Sequence, residues 1–560
     1  MTHFEIMNPT TRTTGNDISN SVPAIPRWAP VAVIACSLIV AVAYAWKRPY
    51  TMDESFSMLE AIGQIPFGHD WPARRVITTR EVWANHDPAS VRNAIIEGDN
   101  GNMAGFILAL RCVIEAFGTG WPVALEAVSI AGFVLTVYGT FRVGRHLFGD
   151  RVGLVATILC LCHFGVIIFG LMLRGNGWAM AAGLFATEAY LKIIGLKQGG
   201  FEPAEPAAVP FGRHIAAYAG WSIVGLFAHF LCALILMVHV VFALMKIRCC
   251  RTWARLAVAG IIVIAVVVPV WRFALSSEGY GDVAAYVTWR EHERGHWADI
   301  HQRSPGEIVR SLALAAQFMG GPYTDFIPLI AFPASLAIMA LAVPARRRAF
   351  ANDGAPLALT AMLAGVAFVA STSRLMLADS LFPMRPRYML VSVPYFLILV
   401  SLAFERFGMF DDGPLLKRPG KTIATVYALI AASAPFIILF GSLVYHQRDP
   451  HLKAAWHIAR PGDNATALRV IVPTLLDAQL IAYHLGPDRA ATFEIEDLAV
   501  TAEAADSVRR IGIDHPVVVY YEFMDRYKAQ GLDFRRPEVV SDADGIIRYR
   551  YRAISKDDGS

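Results

Sequence analysis

Charge and cysteine are what this sequence is short of. Only 17% of its 560 residues are Asp, Glu, Lys or Arg, against 55% hydrophobic, and the mean hydropathy is +0.44. A soluble globular chain of this length does not carry that balance, so the composition points to a polytopic membrane protein. All seven cysteines (Cys36, Cys112, Cys160, Cys162, Cys232, Cys249 and Cys250) lie within or beside apolar segments. The long polar stretches have none, which excludes a disulfide framework. The net charge of +4 is small for the size and carries no sign of nucleic-acid binding. Internal repeats and low-complexity tracts are also missing. No small-residue cleavage site follows the first apolar run, Ala29 to Trp46. That run reads as a retained anchor, with residues 1–27 as a cytoplasmic tail.

What is abundant is apolar sequence in span-sized pieces. A crossing needs roughly 20 mostly apolar residues. Such runs lie near 29–46, 122–141, 152–173, 176–195, 215–245, 254–275, 324–343, 356–377, 387–404 and 422–445. A weaker run, 102–117, carries Arg111 and Glu115. The 215–245 run is long enough to be a hairpin turning near His229, which brings the expectation to about eleven spans. Basic residues cluster at Lys246, Arg248 and Arg251, at Arg346 to Arg348, and at Arg406, Lys417, Arg418 and Lys421. These loops are expected on the cytoplasmic side. Loop 276–323, the short loop 378–386 and everything after 446 then fall outside, as does the long loop 48–101.

The expected fold is mainly α: a polytopic helical membrane domain over 28–446 and a small external α/β domain over 447–560. In the first loop, helical pieces around 53–64 and 89–97 are broken by Pro66, Pro72 and Pro88, which suits amphipathic helices on a membrane surface. After 447, Leu468 to Val472, Val517 to Tyr521 and Ile546 to Tyr551 read as strands, and Leu475 to His484 as a helix.

The chemistry-bearing residues lie close to the external ends of these runs: Asp53 and Glu54, Asp99 and Asn100, Arg174, His229, and Arg385 with Arg387 and Tyr388. Ionisable groups near a bilayer interior are costly unless they are paired or functional. The planar fork of arginine binds phosphate oxygens in pairs, and a carboxylate can take a proton from a hydroxyl nucleophile. Together they suit transfer of a group off a phosphate. Each residue also has a purely structural reading. Asp53 can cap the following helix, Glu54 can face solvent, the two arginines can anchor a span at the interface, Arg174 can be a loop charge, and His229 can be a buried core histidine.

The order of these pieces resembles the GT-C glycosyltransferases that use polyprenyl-phosphate sugars, in the protein mannosyltransferase and aminoarabinose transferase branch. The matching stretches are MDESFSMLEA, GDNGNMAGFILAL, GRHLFGDRVGL, LMLRGNGWAM, VGLFAHFLCAL and FPMRPRYMLVSVPYF, spread over residues 28–404. Two departures stand out: the paired prolines of the second motif are absent, and Leu173 replaces the acidic residue before Arg174. The resemblance implies an integral inner-membrane enzyme with its site facing the periplasm or exterior. It would transfer a sugar, hexose or pentose, with inversion from a polyprenyl-phosphate donor to an envelope glycan, lipid or protein. By position, Asp53 would be the general base and Glu54 a supporting or metal-facing carboxylate, so a divalent metal ion is the one cofactor it allows. Arg385 or Arg387 would hold the lipid phosphate, with Asp99, Asn102, Arg174, His229 and Tyr388 contributing to substrate binding.

Two other classes are open. His292-Glu-Arg-Gly-His296 matches the zinc-protease pattern H-E-x-x-H, although its surroundings are polar and contain a glycine. A transporter or flippase of lipid-linked saccharide would also place charges near spans, but it does not account for a long external loop and an external domain.

Overall fold

The computed structural model describes residues 26, 28–45, 50, 52–65, 76–84, 87–99, 101–119, 122–198, 200–201, 211–274, 319, 354–377, 386–406, 468–472, 475–495, 532–541 and 546–555, with scattered positions from 422 to 436. The run 324–343, the strand expected at 517–521 and the His292/His296 motif lie outside the described residues.

An apolar helical body makes up most of the molecule. Its helices are α1 (Ala29–Ala45), α2 (Met52–Ala61), α3 (Thr79–Ala84), α4 (Pro88–Asp99), α5 (Ala104–Phe117), α6 (Pro122–Phe148), α7 (Asp150–Cys162), α8 (Phe164–Leu171) and α9 (Asn176–Ile194). They continue with α10 (Phe211–Ala228), α11 (Cys232–Lys246), α12 (Cys250–Ala274), α13 (Gly354–Leu377) and α14 (Val393–Arg406), the last entered through a 3-10 helix, Pro386–Ser392. Among the described residues, three helices are long and apolar enough to cross a membrane: Val123–Phe148, Cys250–Trp271 and Tyr388–Arg406. A fourth crossing is available from α7 and α8, which bend by 66° at His163. The weak run at 102–117 forms only the 14-residue α5, roughly 21 Å long and short of a bilayer core of about 30 Å.

Small residues let these helices meet closely. A Cβ on Gly144 would lie 3.0 Å from the Gly153 Cα, and one on Gly177 would lie 2.6 Å from the Gly170 carbonyl oxygen. Five hydroxyls inside the body bond within their own helices: Thr136, Thr140, Thr157, Thr187 and Ser401 each donate to the carbonyl four residues back. This is how a polar side chain is tolerated where water is absent. The outer faces are as apolar as the core. Ile261 and Ile264 of α12 and Leu244 of α11 are each at least 60% exposed, an arrangement that suits lipid and not water.

The run 215–245 breaks at His229 into α10 and α11. Gly225 lies against Cys232, and the Tyr218 hydroxyl is 3.3 Å from His239 Nδ1, so the two helices run antiparallel.

A second layer caps one end of this body. Its five-stranded sheet has the order β1-β5-β4-β7-β6, where β1 is Val76–Thr78, β4 Leu468–Val472, β5 Ala491–Ile495, β6 Leu532–Ser541 and β7 Ile546–Ser555; β2 (Leu196–Lys197) and β3 (Gly200–Phe201) form a separate two-stranded hairpin. Strand β4 pairs in parallel with β5 and β7, while β1 and β6 are antiparallel edges. Helix α15 (Leu475–Leu485) connects β4 to β5. The sheet is not built by residues 447–560 alone, because β1 comes from the first loop, pairing Val76 with Glu494 and Thr78 with Thr492. Helix α3 follows, with Trp83 Nε1 donating to the Ala482 carbonyl at 3.0 Å and its ring stacked on Tyr483.

Candidate active site

The site lies where four breaks in the helical pattern meet. Helix α2 begins with Asp53 and Glu54 in its first turn, where the amide ends of the helix favour negative charge. The Glu54 side chain is fully buried, and its Oε1 accepts the Leu173 N–H at 2.6 Å. A buried carboxylate is costly unless it is hydrogen-bonded, and this short charge-assisted bond supplies a partner. Glu54 therefore holds α2 against the 172–174 bend and does not face solvent. Asp53, beside it, is half-buried. Its carbonyl accepts from Arg174 Nη1 at 2.9 Å. Acid and guanidinium thus sit at one junction through a backbone contact.

The second break is the turn at residues 101–103. Met103 is fully buried with φ 60°, a left-handed conformation that costs a residue other than glycine about 1–3 kcal/mol. Its Sδ accepts the Gly175 N–H at 3.5 Å. The turn also sends the Asn102 side chain to the third break: Asn102 Oδ1 accepts the Phe230 N–H at 3.2 Å in the α10–α11 connection. His229 occupies that connection, its Nδ1 accepting the Leu231 N–H at 3.2 Å, and Arg174 is within Coulombic reach of its ring. The fourth break, 172–175, receives all of these. Gly175 lies so close to the end of α10 that a Cβ there would overlap the Ala228 carbonyl.

Five residues nominated from sequence, Asp53, Glu54, Asn102, Arg174 and His229, are therefore gathered into one junction. Asp99 is the last residue of α4, two positions before Gly101. Arg387 and Tyr388 lie on the 3-10 helix, with Tyr388 half-buried. Further along, Tyr395 bonds Thr187 midway along α9 and Ile398 packs on Gly144. Followed backward, the chain runs from there toward the Arg174 end of α9. Arg385 lies outside the described residues. Among the described residues no three His, Cys, Asp or Glu side chains converge as metal ligands. One Glu54 oxygen is already engaged by the Leu173 amide.

Sequence reasoning missed Met103, Leu173, Gly175 and Phe230, which act through backbone N–H groups, a sulfur or a strained turn. Gly101 next to Asn102 does signal a turn. Nothing in the residue type signals that Met103 must be left-handed.

No family model and no curated protein matches the chain. The structure aligns with that of ArnT from Cupriavidus metallidurans bound to undecaprenyl phosphate, over 96% of this chain and 100% of that one, with a TM-score of 0.53 at 15% identity. The likeness to that structure is one of fold. The oligosaccharyltransferase of Archaeoglobus fulgidus in its apo form aligns over 82% of this chain and 64% of its own, with a TM-score of 0.47 and 12% identity. The arabinofuranosyltransferase AftD from Mycobacteria aligns over 96% of this chain and 40% of its own, at 0.45 and 14%.

Proposed function

We propose that the protein is an integral membrane glycosyltransferase that moves a sugar from a polyprenyl-phosphate donor to a cell-envelope acceptor, with inversion, on the outer side of a bacterial inner membrane. The observation that carries this reading is Asp53 and Arg174 at one junction of a GT-C-type helical body. Asp53 takes the proton of the acceptor hydroxyl. The acceptor oxygen attacks the sugar C1 from the face opposite the phosphate, the C1–O bond breaks, and the polyprenyl phosphate leaves with the bonding pair. A leaving phosphate needs charge stabilisation more than it needs a proton donor. Arg174 and the arginines Arg385 and Arg387 supply it, with Tyr388 beside them. Asn102 and His229 line the junction, Asp99 lies at its edge, and Glu54 holds α2 in place. On this reading residues 28–446 form the catalytic membrane domain, and residues 447–560, with the first loop, form its cover on the acceptor side. The test is to incubate purified protein with a panel of radiolabelled polyprenyl-phosphate hexoses and pentoses. Consumption of one lipid-linked label in the presence of envelope extract is expected; no consumption of any member would overturn the assignment.

A further inference from the structure

Helix α2, which carries the proposed base, is held at both ends, and the two anchors come from parts of the chain far apart in sequence. At its N-terminal end the anchors are the Glu54–Leu173 and Arg174–Asp53 contacts. Past its C-terminal end, Gln479 of α15 donates Nε2 to the Ile65 carbonyl at 3.1 Å, with the Gln479 side chain 2% exposed. Arg111 of α5 also reaches the Ala61 carbonyl at 3.4 Å. One apolar cluster runs through Met58 and Leu59 of α2, Ile62 just past it, Trp83, Tyr483 and Leu173, the neighbour of Arg174. The α15 end of that cluster is fixed by the Trp83 bond to the Ala482 carbonyl and the Thr79 bond to the Ala491 carbonyl.

We infer that Gln479 is a positioning residue for transfer: by holding the Ile65 end of α2 it sets where Asp53 stands relative to Arg174. This rests on the function proposed above. The ten-residue α2 is about 15 Å long and ends at Ala61, and the turn through Ile62 and Gly63 joins it to the bonded Ile65 carbonyl. Without that bond α2 keeps the Arg111 contact and the apolar cluster but loses one of its holds, the play it gains is passed along the helix to Asp53, and a displacement of about 1 Å at a reacting group can cost on the order of a hundredfold in rate. The proposed donor groups, Arg174 and the 3-10 helix, are carried by the 172–175 break and the entry to α14 and not by α2. Loss of the anchor therefore lowers turnover and leaves donor binding as it was.

Two variants and two readouts test this. Gln479→Ala should lower kcat at least about tenfold with the KM for donor lipid and the binding of undecaprenyl phosphate unchanged. Hydrogen exchange of the α2 amides should rise by a similar factor, while exchange of α6 stays the same. Gln479→Glu supplies a readout that a merely structural role would not move. Protonated, its carboxylic acid can donate to the Ile65 carbonyl; ionised, it cannot. Its activity relative to wild type should climb as pH falls from about 7 to about 5, across the upper part of a carboxyl titration. Wild-type kcat in Gln479→Ala, a loss confined to KM, or unchanged α2 exchange would overturn the inference, as would a flat pH ratio in Gln479→Glu. Asp53→Asn in the same assay separates the two ideas. Full turnover there sinks the base assignment while the exchange result still reports on the anchor. If Gln479→Ala does not fold, Gln479→Met keeps most of the side-chain volume and removes the amide donor to Ile65, and the same criteria for kcat, KM and α2 exchange apply to it.

Discussion

The helical body and the sheet layer hold themselves together in opposite ways. In the body, each helix satisfies its own backbone and much of its side-chain hydrogen bonding, and neighbours meet through glycine and close carbonyl contacts. In the layer, the fixing contacts are distant in sequence: the stack of Trp83 on Tyr483 and the hydrogen bonds of Thr79 to Ala491 and Gln479 to Ile65. The body is a set of nearly independent pieces fitted together, whereas the layer does not exist until its remote parts meet. The proposed site lies on the boundary, with α2 belonging to the layer's apolar cluster and Arg174 projecting from a break in the body.

The largest effect that would break this picture concerns Asp53. Asp53→Asn keeps the size and removes the charge, and should insert and bind donor lipid normally while turning over at least about a hundredfold more slowly. Near-normal turnover of the purified variant would remove the boundary's chemical role.

A pair of glycine substitutions sharpens the contrast next. Gly175 lies in the body at φ −67° with the Ala228 carbonyl against it; Gly486 in the layer has φ +76° and open space around it. Gly175→Ala should cost about 1–3 kcal/mol through steric displacement of α10 and lower activity with it. Gly486→Ala should cost about 1 kcal/mol through backbone strain alone and leave turnover unchanged. Thermal unfolding with an activity assay distinguishes them, and equal loss of activity in both would erase the distinction.

Glu54 lies between the two. Glu54→Gln keeps an oxygen to accept the Leu173 N–H and should be mild, whereas Glu54→Ala leaves that buried donor without this acceptor, at about 1–3 kcal/mol. If the two variants behave alike in thermal unfolding and activity, Glu54 is not the clamp described.

The smallest expected effect belongs to α4, which packs against α2. Asp87 caps α4, accepting the Ala89 and Ser90 N–H groups at 2.7 and 3.0 Å, and the Ser90 bonds chiefly hold its carboxyl below the usual aspartate value. A lowered folded value means that its contribution to α4 is fully present above about pH 4. It is lost as pH falls through the lower folded value. Exchange protection of α4 should drop over that range in wild type but not in Asp87→Asn, which keeps a capping oxygen without titrating. A matching drop in the variant would assign the acid sensitivity elsewhere.

The two regions also differ in how far they could be read in advance. The helices around 122–148, 176–194 and 250–274 follow from apolar runs because a helix in lipid must satisfy its backbone locally. The break at His229 followed from length alone. In the layer, β4, α15 and β7 were legible as local patterns, but nothing near Val76–Thr78 announces a partner at 492–494. Pairing at that distance is decided by which edges are open once the rest has folded. The site divides along the same line. Asp53, Glu54, Asn102, Arg174 and His229 stand out by residue type next to apolar runs. Their mutual contacts run largely through carbonyls and amides, which every residue carries and no sequence pattern marks.

The pairing of β1 with β5 also sets a clock. Thr79 and its acceptor Ala491 are 412 residues apart. At a synthesis rate of about 5–20 residues per second, the first loop waits on the order of 20–80 seconds for its partner strand to be made. From the time Leu173 is made, 119 residues after Glu54, α2 has its Glu54 anchor but not yet Gln479. On the proposal made here, a nascent or truncated chain binds donor lipid before it can spend it, and the last strands translated arm the first loop that was made.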